Sequence, residues 1–300
     1  MMSISRMMVY DTHTHAWGPP TPNHPWTNGP LVENFASNFS TNIVYTADKL
    51  LADMDKAGVD DAVVVGYPIT DWTDNWYAIK EAEENDRLGA ISMIDQFAED
   101  ADEVLRDIMS HDAMLGFRLG AICPYDEMWE RFDYEETWLL DAIAEDDFWE
   151  AAVDTDAVVQ IMAHTSQLDQ ALELVEAYPE LRYTFDHFCH ADAADDPVES
   201  FATLEPLAEY NNVTVKISEI AHISNEDYPY EDAHDHVRWL METFGRERVL
   251  WGSDFPNVSH PEFGGMTYEE TYSWLEHVEF LSNTDRHWLL EDAARSFFKR

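Results

Sequence analysis

Cysteine is nearly missing from this chain. Cys123 and Cys189 are the only two, too few for a disulfide framework and without the paired spacing of a thiolate zinc site. A reducing compartment, the cytoplasm, is therefore the expected location. Basic side chains are scarce as well: 17 Lys and Arg, five of them Lys, stand against 61 Asp and Glu, for a formal charge of −44. Phosphate recognition needs clustered cations, so nucleic acid is excluded as a partner. No apolar run approaches the roughly 20 residues of a membrane span. The opening MMSISRMMVY enters a strand pattern without the apolar centre of a signal peptide. A soluble chain with no membrane association is expected. Glycine is also thin, with 11 residues, and the first strand ends HTHAWG, which cannot serve as the phosphate loop of an open doubly wound sheet.

What is present argues for a folded enzyme-sized barrel. A hydrophobic share of 45% and an aromatic share of 13% exclude a disordered acidic chain and allow a large core. Self-repulsion at −44 would weaken a compact fold in dilute buffer. At molar salt the Debye length shrinks to about 3 Å and that repulsion is screened. The charge reads as halophilic adaptation, an acidic surface built to be solvated.

Short apolar or β-branched runs alternate with amphipathic stretches along the whole chain, the pattern of βα units around a parallel sheet. Eight runs can be counted: 8–16, 60–68, 88–95, 113–120, 157–165, 183–190, 213–220 and 249–256. Helical spacing lies between them at 46–57, 102–109, 167–177 and 232–244. Gly58 and Gly245 stand where a left-handed residue would end a helix, and Pro179 follows another. Eight alternations without a linker or repeat predict a single (β/α)8 TIM barrel over residues 1–300. The Pro- and Asn-rich segment 18–42 reads as an extended loop on the catalytic face, a candidate lid.

The polar residues of these runs gather at strand ends. Asp11, His13 and His15 alternate on strand one, so both imidazoles project to one side. Two neutral imidazoles in a buried strand are costly without a task, which points to metal ligation. His164 ends strand five in VVQIMAHT, and Asp254 ends strand eight in VLWGSDFP. These ends converge on the mouth of a barrel. Arg118, on strand four, has the planar fork to clamp a substrate carboxylate, or to serve as a structural ion-pair partner. Lys216 on strand seven is a weaker candidate, and Trp17, Trp26, Tyr67 and Phe255 are candidate pocket aromatics.

With DTHTH on strand one, MAHT on strand five, FDHF on strand six and LWGSDFP on strand eight, the chain resembles the amidohydrolase superfamily. Within it, the likeness is to the metal-dependent hydrolases and lactonases related to the non-oxidative decarboxylases. Two further segments, DNWY at 74–77 and LGFRLG around Arg118, agree with the hydrolase side. The resemblance implies His13, His15, His164 and Asp254 as ligands of one divalent ion. Zn²⁺ is the first expectation, with Mn²⁺, Fe²⁺ or Ni²⁺ as alternatives. It also implies His187 as a catalytic histidine, with Asp254 or His187 moving protons while an activated water attacks. Strand four lacks the Lys or Glu that bridges two metals in other members, so one ion is expected. Cys189 and His190 depart from the usual turn after strand six, and four ligands already satisfy a metal without them.

The expected reaction is hydrolysis of a lactone or related ester or amide. The partner is a small molecule, anionic if Arg118 clamps it, and a homo-oligomer is compatible with the sequence. The alternative reaction is non-oxidative decarboxylation of an aromatic or dienoic acid, which uses a similar ligand set. Outside catalysis, the alternative is a silent binding barrel, against which stand all five mouth residues.

Overall fold

The structure, a computed structural model, describes residues 7–38, 44–128 and 130–299, with the side chains of 34–38 and 262 outside that description. Eight parallel strands form one sheet in sequential order: β1 (Tyr10–Thr14), β2 (Asp61–Val65), β3 (Leu88–Met93), β4 (Met114–Gly120), β5 (Val158–Met162), β6 (Arg182–Phe185), β7 (Val213–Ile217) and β8 (Val249–Trp251). The ring closes between β8 and β1, where the Asp254 amide donates to the His13 carbonyl at 2.8 Å and the His15 amide to that of Phe255 at 2.9 Å. The expected TIM barrel is what forms.

Composition explains the strands. DAVVV, VVQIM and VTVKI are buried on both faces, as parallel strands under covering helices must be. Tyr10, Val63, Ile91, Val158 and Leu250 fill the barrel's lower interior, and Phe297 and Phe298 of the C-terminal helix Ala293–Phe298 pack against them as a plug. The mouth at the opposite end is left for polar groups. Two glycines set the closeness of neighbouring strands. A Cβ on Gly116 would lie 2.0 Å from the Val158 carbonyl oxygen, and one on Gly252 would lie 2.9 Å from His13 Cβ.

Helices begin and end near their expected limits. Thr46 caps Ala47–Ala57 by accepting from the Lys49 amide, and Gly58 ends it at φ 81°. The segment read as a bare loop departs from expectation, because Gly29–Asn38 is helical. The Asn28 side chain accepts from the Leu31 amide at 3.2 Å and so starts a helix that the Pro and Asn content obscured. Residues 39–42 of that loop lie outside the described ones. Among the described residues no helix is long and apolar enough to cross a membrane.

Candidate active site

Strand one delivers its histidines through an irregularity. The β1–β2 register shifts between Asp11 and Thr14, so simple alternation does not run through the strand. Asp11 leaves the cavity and bolts β1 to β8, accepting from the Ser253 amide at 2.9 Å and from the Tyr268 hydroxyl at 2.8 Å. Burial lifts its pKa to about 6 against those hydrogen bonds. His13 and His15 face the mouth together, rings 5.1 Å apart.

Asp254 meets both. Its Oδ1 lies 3.0 Å from His15 Nε2 and 3.4 Å from His13 Nε2. The His15 contact can be resolved into donors and acceptors. His15 Nδ1 is 2.9 Å from the Val65 carbonyl, which only accepts, so the ring proton sits on Nδ1. Burial lowers the His15 pKa to about 3, so at neutral pH the ring carries no second proton. The Nε2 lone pair therefore faces a carboxylate oxygen, acceptor against acceptor, in a buried space. A proton held by Asp254 or a cation between the two relieves this. Burial does raise the Asp254 pKa, to about 6.

A second indication is a set of poorly partnered atoms. Asp254 Oδ2 is buried without a hydrogen-bond partner, and both ring nitrogens of His13 and Asp186 Oδ1 are buried with no well-formed hydrogen bond, held only by ion contacts of 3.2–3.4 Å, which folded proteins rarely tolerate. Among the described residues, three groups have donor atoms all within 4.8 Å of one another: His13–His15–Asp254, His13–Asp186–His187 and His187–Glu219–Asp254. Imidazole nitrogens with a carboxylate suit a borderline divalent ion such as zinc.

The structure does not bring His164 to this cluster. It stands two residues beyond the end of β5 and caps the turn 165–167, its Nδ1 2.8 Å from Ser166 Oγ and its ring 4.0 Å from that of Tyr134. The inward position on β5 belongs to Gln160, whose amide donates to Asp186 at 2.9 Å. The sequence marks the right strand but not the turn that carries the imidazole away from its axis.

Asp186, the residue before His187, is the group the sequence reading passed over. Its carboxylate takes Arg118 Nε at 2.8 Å, Gln160 Nε2 at 2.9 Å, Lys216 Nζ at 3.2 Å and His13 Nδ1 at 3.3 Å. Burial alone would raise its pKa, yet Lys216, Arg118 and His13 hold it well below the usual range. Its signal was present in FDHF, where the histidine drew the attention. Lys216 is fully buried, donating to Gln160 Oε1 at 2.7 Å and to the Thr12 carbonyl at 3.1 Å. It supports the floor from below.

His187 lies where it was expected, its ring 4.6 Å from that of His13. Arg118 Nη2 donates to its Nε2 at 3.3 Å, and since Arg only donates, the ring proton sits on Nδ1. That proton faces Ser218 Oγ at 3.0 Å and Glu219 Oε2 at 3.4 Å. Burial first, then His13, pushes the His187 pKa well below its ordinary value, so the ring is neutral. Glu219 follows β7 and went unnoticed. Its carboxyl is pushed well up by burial and by Asp254. His187 to His190, Glu219 and Asp254 all have φ between 50° and 58°, a left-handed backbone uncommon for residues with a Cβ and enriched where function overrides preference.

His15, Arg118, His187, Glu219 and Asp254 form the floor of a cavity of about 350 Å³, with His13, Asp186 and Lys216 packed behind them. Arg118 lines it and is ion-paired at once, so its two expected roles coexist. Of the four candidate aromatics only Tyr67 reaches the cavity. Trp17 stacks on Tyr67 from behind at 4.8 Å and Phe255 on Tyr268 at 4.5 Å, while Trp26 borders a smaller cavity with Trp17. Among the described residues, none that lines the cavity comes from the segment expected as a lid. Cys189 is buried in the core, and His190 lines the cavity with neither nitrogen bonded.

Comparison with known proteins agrees with this geometry. The amidohydrolase family model matches residues 10–300. L-Fucono-1,5-lactonase of Burkholderia ambifaria is 28% identical over 131 residues, which are 39% of this chain and 44% of that protein. The match thus spans less than half the length of that relative. A Pseudomonas putida structure described as a 2-pyrone-4,6-dicarboxylic acid hydrolase has a TM-score of 0.73 at 22% identity, covering 98% of both chains. A Burkholderia multivorans amidohydrolase with bound zinc has a TM-score of 0.73 at 17% identity, covering 97% of this chain and 99% of its own. At such identities these structures establish the shared fold.

Proposed function

The chain belongs to the amidohydrolase family, and from that membership we propose that it hydrolyses a lactone or related ester or amide of a small molecule, using one divalent ion, with zinc first. The observation that carries this reading is the acceptor-to-acceptor contact of His15 Nε2 and Asp254 Oδ1 at 3.0 Å, beside a His13 ring whose nitrogens lie 3.3 Å from Asp186 and 3.4 Å from Asp254 with no well-formed hydrogen bond. That donor set fits a cation. His13, His15 and Asp254 would hold it, and His164 is left out of the set. A divalent ion there polarises a carbonyl and makes water available for attack near neutral pH.

The remaining steps belong to the protein's own groups. Arg118 presents its guanidinium at the cavity floor, where an acyl oxygen or carboxylate of the substrate would lie, and Asp186 fixes its plane through Nε. His187 is neutral with its proton on Nδ1, so its Nε2 can accept a proton from attacking water once the substrate displaces the Arg118 contact. Asp254, whose second oxygen remains beside the reacting point, can take the same proton and return it to the leaving oxygen. Burial of the floor keeps bulk water from levelling these differences.

Incubation of the zinc-loaded protein with a panel of lactones, esters and carboxylic acids tests the proposal. Acid should be released from lactones, titratable at constant pH, with no carbon dioxide. Carbon dioxide from an aromatic acid without acid release would replace hydrolysis with decarboxylation.

A further inference from the structure

The cavity's upper wall differs in chemistry from its floor. Tyr125, Met128, Phe132, Tyr134, Met162 and Phe263 line it, Tyr125, Met128 and Met162 packing as one apolar cluster. The rings of Phe132 and Tyr134 are 5.0 Å apart, and Phe132 continues to His190 at 6.1 Å. Phe132 is 48% and Tyr134 39% exposed. Isolated exposed aromatics are ordinary on a protein surface. A contiguous set at the mouth of a cavity, on a chain of charge −44, is better explained by something that covers it.

Charge at the floor narrows the occupant further. Among the described residues Arg118 is the only Lys or Arg lining the cavity, and it is already paired with Asp186 at 2.8 Å. Asp254 and Glu219 line the same floor. One anionic or acyl group can be met by Arg118. A second carboxylate would meet no further Lys or Arg among the described lining residues and would share the floor with Asp254 and Glu219, and a body lying along Met128 and Phe132 offers its hydroxyls no polar partner from those two side chains.

We infer that the substrate of this site is a lactone with an apolar alkyl or aryl body and at most one anionic group, the body lying along the Met128–Phe132–Tyr134 wall while the acyl carbon meets the floor. This rests on the lactone-hydrolase reading and adds the substrate class. It separates this cavity from what a sugar lactone or a dicarboxylated pyrone requires.

The test measures kcat/KM of the zinc-loaded protein on δ-lactones of increasing alkyl chain length, on a phenyl-fused lactone, on an aldonolactone and on a dicarboxylated pyrone. Burying one methylene changes the ratio by roughly fourfold, so kcat/KM should climb by about that factor per added methylene until the wall is covered. The aldonolactone and the pyrone should be the poorest substrates. Phe132→Ala, at a position exposed enough to spare the fold, should flatten that slope. A wild-type slope of zero, or a preference for the aldonolactone or the dicarboxylate, overturns the inference while leaving hydrolysis standing. Failure of every lactone in a protein shown to bind zinc overturns the hydrolase reading itself, and the inference with it.

Discussion

Asp186 binds Arg118 and Lys216 with one carboxylate, while burial holds His13 and His187 well below their ordinary pKa and so neutral. Removing either positive charge would leave the buried Asp186 carboxylate only half compensated, so the network behaves as a unit. His187 has Arg118 on one nitrogen and Ser218 and Glu219 on the other, positions that suit a proton carrier. His187→Asn should therefore lower turnover by about 10²–10⁴-fold while elemental analysis still finds the ion. His164→Asn should keep both the ion and most of the activity, because its ring stacks on Tyr134 and its Nδ1 serves Ser166. Loss of the ion in His164→Asn would return that residue to the ligand set.

Asp254 gives the ion a pH dependence whose sign follows from its raised pKa. Only the carboxylate form is a ligand, and burial holds the proton on up to about pH 6. Below that value a proton must be displaced for each ion bound, so affinity should fall by about tenfold per pH unit. Above it, affinity should level off, since His15 is held down to about 3 and does not compete. Zinc affinities measured by chelator competition between pH 5 and 8 would show this. A profile flat across pH 6 would mean that Asp254 is not a ligand.

At the scale of the elements, eight strands were legible because both faces of each are buried, which writes them as continuous apolar runs such as AVVV and VVQIM. Their C-terminal limits were not legible. Strands were expected to reach Ala16, Thr165 and His190, whereas β1, β5 and β6 end at Thr14, Met162 and Phe185. After β6 the backbone turns left-handed at His187 to His190, and after β5 an extended His164 caps the turn 165–167; neither stretch carries a glycine or proline to announce the change. The site's residue types could thus be found, while His164's departure from the cluster could not. Asp186 and Glu219 were hidden by abundance, two acids among 61.

Gly116 shows what fixes the spacing of the elements. Because a Cβ there would fall 2.0 Å from the Val158 carbonyl oxygen, Gly116→Ala must push β4 from β5. Overpacking of this kind typically costs roughly 1–3 kcal/mol, which would appear as a lower denaturant midpoint. An unchanged midpoint would mean the two strands can separate without penalty.

The whole molecule carries −44, a net charge that pairing among its own side chains leaves unchanged. We expect folding to depend on salt, since screening shortens from a reach of about 10 Å at 0.1 M to about 3 Å at 1 M. Melting temperature should rise steadily between these concentrations in potassium chloride. Equal melting temperatures at both would remove the halophilic reading.

The account as a whole stands on an ion between His13, His15 and Asp254 serving lactone hydrolysis. Its most direct test is a single protein preparation stripped by chelator, assayed at constant pH on its best lactone, and reloaded with one equivalent of zinc. The account predicts that acid release collapses on stripping, returns on reloading, and saturates at one ion per chain. Undiminished hydrolysis by protein shown to be metal-free would contradict it.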